Sequence, residues 1–284
     1  YMSGAKYRTN KSIDKMGVTT VFNCSGVDKD KFIQYTDKVK ATYKDWSNEW
    51  NQEISTKESE LRTPYLGKEF NNASKKGIIP ENSNISGSWS SLTDAGEATN
   101  LNLVHMKGYD CTNVLDLTKA EIEGRKQTMD ALNALKSEVP GFEKAKLRNF
   151  GMTLGTRDSR KILGEYNLTG EDVLNEARFA DSIGIFPEFI DGYNILRIPS
   201  SGRYFQVPFR CLIPLKIDNL LVAGRCVSGD NISHAAMRNM MACTVTGQGA
   251  GVASAVSIKE NTKVRNTPID KIQKELINQG VRIK

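Results

Sequence analysis

Residues 18–27, VTTVFNCSGV, form an apolar, β-branched run that predicts a strand. From residue 29 to about 62 the pattern changes. Phe32, Tyr35, Val39, Tyr43, Trp46 and Trp50 recur at three- and four-residue steps among charges, which predicts one amphipathic helix with its aromatic stripe in the core. Residues 70–100 are rich in Asn, Ser and Gly and read as an irregular excursion, after which LNLVHM returns to a strand. In residues 117–137, LTKAEIEGRKQTMDALNALKS, Thr118 stands three residues before Glu121 at the head of a helical apolar pattern. That predicts a helix opened by a capping box at Thr118 and closed near Pro140 and Gly141. Strand character returns around residues 153–164, and GEDVLNEARFADSIG predicts a second short helix.

The remaining stretch is more apolar. RYFQVPFRCLIPLKIDNLLVAGRCV gives two strand-like runs split by a charged turn at residues 216–218. The second, NLLVAG, has no polar alternation and predicts an interior strand covered on both faces. HAAMRNMMACTVTGQGAGVASAVSIKE then predicts a long helix crowded with Ala, Gly, Ser and Thr, and TPIDKIQKELINQGV a short amphipathic helix closed by Gly280.

Composition narrows the function classes. With 284 residues, 39% of them hydrophobic, the chain is long enough for a sizeable core. The net charge of +6 is spread along the chain with no basic block, which argues against a nucleic-acid partner. Five cysteines lack any Cys-x-x-Cys spacing and only two histidines occur, so no metal site, zinc cluster or disulfide framework is expected, and the cytoplasm is the expected compartment. No apolar run reaches the ~20 residues a spanning helix needs, so no membrane partner is expected.

The glycines of TGQGAG carry the candidate chemistry. A glycine in a helix interior costs about 0.5–1 kcal/mol relative to alanine, so three together need a reason. Gly247, Gly249 and Gly251 are spaced G-x-G-x-G, far beyond any strand. A dinucleotide fingerprint is G-x-G-x-x-G directly after one, so no residue here is assigned to grip a pyrophosphate. Two readings stay open on composition: a Gly/Ala helix packed tightly on a sheet, or a helix whose bare N-terminal turn faces the N1–C2=O edge of a flavin.

IPLKIDNLLVAGRCVSGDNISHAAMRNMMACTVTGQGAGVASAVSIKE resembles the C-terminal signature of a family of FAD-dependent oxidoreductases akin to the glutathione-reductase flavoproteins. VTTVFNCSGVD, DLTKAEIEGRKQTMDALNALKSEVPGFEKA, LGTRDSRKILGEYNLTGEDVL and VPFRCLIP follow in the family's order, so the resemblance covers nearly the whole chain. It implies an α/β fold with an α+β insert: the C-terminal part of a glutathione-reductase-like FAD-binding fold, residues 1–17 and 205–284, around a substrate or cap domain, residues 18–204. It also implies that the lobe with the phosphate-binding glycines lies outside this chain, through truncation or on a second polypeptide, and that FAD binding needs it. A homo-oligomer is left open.

The resemblance implies site residues position by position. Gly224 and Arg225 stand where related flavoproteins place a Gly-Asp pair near the ribityl chain, and Thr246, Gly247, Gln248 and Gly249 match the segment facing the flavin ring. His234 and Arg238 match family positions, whereas Asn231 and Met241 replace the usual histidine and proline. On one continuous helix His234, Arg238 and Met241 would share a face. His234 is then the candidate acid/base for hydride transfer between a small organic substrate and flavin N5, with Arg238 and Arg157 assisting. Arg210 and Arg160 are candidate substrate contacts. Two rivals remain: a non-catalytic subunit that assembles with a separate FAD-binding chain, and a binding module without flavin.

Overall fold

The computed structural model describes residues 2–38, 51–53, 66–81, 83, 85–88, 91–193, 195–199 and 202–284. The elements run β1 (Tyr7–Arg8), β2 (Val18–Ser25), α1 (Lys29–Lys38), β3 (Asn51–Glu53), α2 (Gly67–Lys75), β4 (Ile85–Ser88), β5 (Ser91–Leu92), β6 (Ala98–Met106), α3 (Val114–Glu138) and β7 (Lys146–Phe150). They continue as β8 (Lys161–Ile162), α4 (Gly170–Leu174), β9 (Ser182–Phe186), β10 (Ile190–Gly192), β11 (Ile195–Arg197), β12 (Phe205–Pro208), α5 (Asn231–Met237), α6 (Met240–Lys259) and α7 (Ile269–Asn278). The fold is mixed α/β, with several small, mainly antiparallel sheets. Two compact units share the chain: Tyr1–Thr9, Asn51–Ser59 and Ser159–Lys284 form one, and Asn10–Trp50 with Glu60–Asp158 the other.

The second unit is a sheet in the order β4-β6-β2-β7, with β5 also on β6, all antiparallel. Its period-two pattern puts Phe22 opposite Leu101 on one side and Phe150 on the other. Helix α3 buries Ala120, Gly124, Thr128, Ala131 and Leu135, a stripe at helical spacing. Gly124 allows the close approach, since a Cβ there would strike the Thr20 side chain. Phe32 of α1 meets Phe142 edge-on at 5.3 Å in the same core.

In the first unit β9 pairs with β12, β10 and β11 form a hairpin joined in parallel by β3, and β1 pairs with β8. Ile183, Ala253, Ile272 and Leu276 bury there without residual exposure, gathering β9, α6 and α7 on one core. Each large aliphatic contributes about 1.5–3 kcal/mol by leaving water. Just before β10, Glu188 is 1% exposed and lies between two guanidinium groups: Arg203 reaches it at 2.8 Å and Arg197 of β11 at 3.4 Å.

Several expectations change. Of the helix expected from residue 29 to about 62, Lys29–Lys38 is helical, residues 39–50 and 54–62 lie outside the described residues, and residues 51–53 form a strand because the β11 ladder recruits them. Trp46 and Trp50 lie outside the described residues. The supposed excursion at 70–100 contains the end of α2 and strands β4, β5 and β6, anchored by sparse apolar residues such as Phe70, Ala73, Ile79 and Ile85. Helix α3 starts earlier than expected. Its cap is Asn113, which accepts from the Leu115 N–H at 2.9 Å, while Thr118 sits inside and donates to the Val114 carbonyl. Around 153–164 only β8 is regular, and Gly155 makes an isolated bridge to Thr19.

The compact units divide at 9/10 and 158/159, whereas the sequence places its boundaries at 17/18 and 204/205; the β9–β12 ladder keeps residues 182–186 with 205–208. Residues 219–224 form no strand among the described residues: Asn219 is exposed at positive φ, Gly224 opens a 3-10 turn, and the Val222 N–H bonds the Leu212 carbonyl at 2.9 Å. Finally, the long C-terminal helix is two. Asn239 adopts extended backbone and turns its side chain onto the Ala235 and Ala236 carbonyls, ending α5 before α6 starts. Helix α7 with Gly280 in the left-handed region closes the chain's last helix as expected.

Candidate functional site

The candidate residues gather where α5, α6 and the 3-10 turn Gly224–Cys226 adjoin. Asp230 fixes the entry to α5. One of its carboxylate oxygens accepts from the Ser233 N–H and the other from the Gly170 N–H at the start of α4, both at 2.7 Å. Ser233 donates its hydroxyl to the Leu168 carbonyl at 2.8 Å. His234 follows on the buried side of α5, 4% exposed. One turn on, Arg238 is held by Asp191 of β10: it donates to the Asp191 carbonyl at 2.6 and 3.1 Å and to its carboxylate at 2.6 Å. Met241 is 71% exposed and does not join them, because the break at Asn239 resets the helical phase.

The turn at Gly224 is bound to α6. Gly224 has φ +75°, a backbone conformation that favours glycine, and its N–H donates to the Thr246 hydroxyl at 2.9 Å. Thr246 is fully buried and donates on to the Cys243 carbonyl at 2.9 Å. Burial pushes the Cys243 thiol up, with Arg225 and Arg238 drawing it down from opposite elements. Burial likewise raises Cys226. Neither thiol is poised as a nucleophile, and all five cysteines are free.

The TGQGAG segment lies in the middle of α6, six residues past its start, so its N–H groups are committed to the helix and do not form the bare N-terminal turn that the sequence suggested. Its glycines divide. Gly249 is buried against Ile183, whose Cδ1 would be 2.5 Å from an added Cβ. Gly247 and Gly251 point outward, with nothing within 4 Å of a Cβ built on either. Four residues apart, they leave a strip of α6 without side chains. Gln248 is exposed and bonds Gln279 at 3.0 Å.

The remaining arginines are placed apart. Arg210 forms a forked pair with Asp181 at 3.0 and 3.2 Å and stacks over Tyr166 at 5.1 Å. Arg160 lies over the Tyr7 ring at 5.4 Å. Arg157 belongs to the other unit, where it donates to the Gly17 carbonyl at 2.9 Å. Sequence reading missed Asp191, whose partner lies 47 residues away and leaves no local signal, and Asp230, whose N-cap place before α5 is a local signal but whose second partner, Gly170, lies 60 residues away. Among the described residues no group of three or more His, Cys, Asp or Glu side chains is placed to hold a metal, and no helix is long and apolar enough to cross a membrane.

The chain matches the model of the FAD dependent oxidoreductase family over residues 1–276. It belongs to that family, which uses FAD, and is an oxidoreductase by that membership. No curated protein and no solved structure matches it. The open faces at Gly247 and Gly251 and the bare turn at Gly224 leave room for a flat ring, while none of the described residues forms a G-x-G-x-x-G loop for a pyrophosphate.

Proposed function

We propose that the protein transfers a hydride between a small organic substrate and a flavin seated on the bare strip of α6, within a glutathione-reductase-like arrangement. The observation that carries this reading is the pair of open glycines, Gly247 and Gly251, on the helix that Thr246 ties to the Gly224 turn and that adjoins the helix bearing His234. The flavin supplies the two-electron acceptor. His234 takes the proton released from the substrate's hydroxyl or amine. Arg238, set by Asp191, fixes the polar end of the substrate or steadies developing negative charge. Arg225, next to Gly224, lies beside the ring. Arg157, Arg160 and Arg210 stand apart from this cluster, held by the Gly17 carbonyl, over the Tyr7 ring and by Asp181. The reducing cytoplasm suits the five free thiols.

The cofactor's phosphate grip comes from a further segment or a second polypeptide. Two features support this. Residues 220–223 are apolar, half-buried and outside any strand ladder among the described residues. Helix α6 carries one charge, Lys259, yet leaves Met240 85% and Ile258 80% exposed, where an apolar helix is expected to be covered. The same features favour a second reading, a non-catalytic subunit that assembles with an FAD-binding chain.

Material from the native source, examined by absorbance and intact mass, tests the reading. Visible flavin bands are expected; a colourless protein overturns it. A dye-reduction screen against alcohols and amines then separates the two versions. His234→Ala should keep the flavin and lose turnover, whereas unchanged turnover favours the non-catalytic subunit.

A further inference from the structure

The small sheet of β1 and β8 carries an arrangement that the flavin reading leaves unused. Arg8 stands directly opposite Lys161 in antiparallel register, so both side chains leave the same face. Tyr7 and Ile162 take the other face, and Arg160 joins them there over the Tyr7 ring. Two cationic side chains thus leave the sheet side by side. Lys161 is 1% exposed. The Nη2 of Arg8 is shut off from solvent and has no hydrogen-bond partner among the described residues. An enclosed guanidinium nitrogen without an acceptor is costly, and it is the group best shaped to take two oxygens of a carboxylate or phosphate in its fork. Strand β8 also adjoins the Gly224–Cys226 turn.

We propose that Arg8 is an oxyanion-binding site that takes the carboxylate or phosphate group of a small molecule. The enclosure favours a small anion over a polymer or a lipid surface. The site stands on the sheet register and the orphaned nitrogen, and so does not depend on flavin. Its place beside the glycine turn sets the bound anion close to the chemistry proposed there.

Calorimetric titration of the purified protein with inorganic phosphate and, separately, with propionate tests it, with sodium chloride at matched ionic strength as the control. Saturable binding of either anion is expected, weakened about tenfold or more in Arg8→Met, as loss of a charge-assisted hydrogen bond implies. Phosphate alone binding identifies a phosphate group, propionate alone a carboxylate. No saturable binding of either, or equal binding by Arg8→Met, overturns the proposal. If Arg8→Met fails to fold by circular dichroism, Arg8→Lys keeps the charge and loses the fork. Binding at least about threefold weaker is then expected, and unchanged affinity overturns it. Because no step reads turnover or colour, this site and the flavin reading fail separately.

Discussion

Gly247, Gly249 and Gly251 stand at alternate positions of one helix and meet different surroundings. At Gly249 an added methyl meets Ile183 within 2.5–3.3 Å, so Gly249→Ala should destabilise the protein by about 1–3 kcal/mol in denaturant unfolding. At Gly247 and Gly251 the space is open, and alanine there should raise stability by up to about 1 kcal/mol through helix propensity. If the strip seats a flavin, both variants should also release it more readily on dialysis; unchanged retention would count against that seat. Glu188 gives a second residue-scale prediction. Glu188→Gln removes one carboxylate from the Arg203 and Arg197 guanidinium groups, with Glu176 still 3.2 Å from Arg203, at a cost of roughly 2–3 kcal/mol. That is below the 3–5 kcal/mol of a fully enclosed pair, because the Arg203 side chain is 37% exposed. Thermal unfolding would show it as a lowered midpoint.

Among the elements, α3 separates two capping hypotheses. Asn113→Ala should cost about 1 kcal/mol because the Leu115 N–H loses its acceptor, and Thr118→Ala should cost clearly less. Equal effects would contradict the observed start of the helix. The case shows how far local pattern reaches. Periodicity located α3, β2 and α7 because their apolar residues repeat at the element's own spacing. It failed where a distant partner decides: residues 51–53 are a strand because of β11, and residues 219–224 are not one because no strand lies alongside among the described residues. At the site, the glycine cluster and the His-Arg spacing were visible in the chain. The sorting of the glycines into inner and outer faces, and the hold of Asp191 on Arg238, needed the tertiary structure.

At the scale of the molecule, each compact unit has its own core, and acid should reach one of them through Asp110. Burial pushes that carboxyl up, but the Lys15 ammonium at 2.6 Å and the Thr112 N–H and hydroxyl outweigh it and hold the group at about 2. A folded value below the ordinary carboxylate value of about 3.9 means that the contribution is complete above that pH and lost as pH falls through about 4 toward 2. Tm measured against pH should therefore drop across that window. Lys15→Met should flatten that limb while lowering Tm at neutral pH, and an unchanged limb would remove the Lys15–Asp110 pair from the account.

Asp230 has a mechanical meaning beyond its two hydrogen bonds. One carboxylate closes the starts of both α4 and α5, and the Leu168 carbonyl takes the Ser233 hydroxyl across the same joint. The starts of the two helices are thus clamped together, and a shift of the loop before α4 is expected to reach α5 and the His234 it carries.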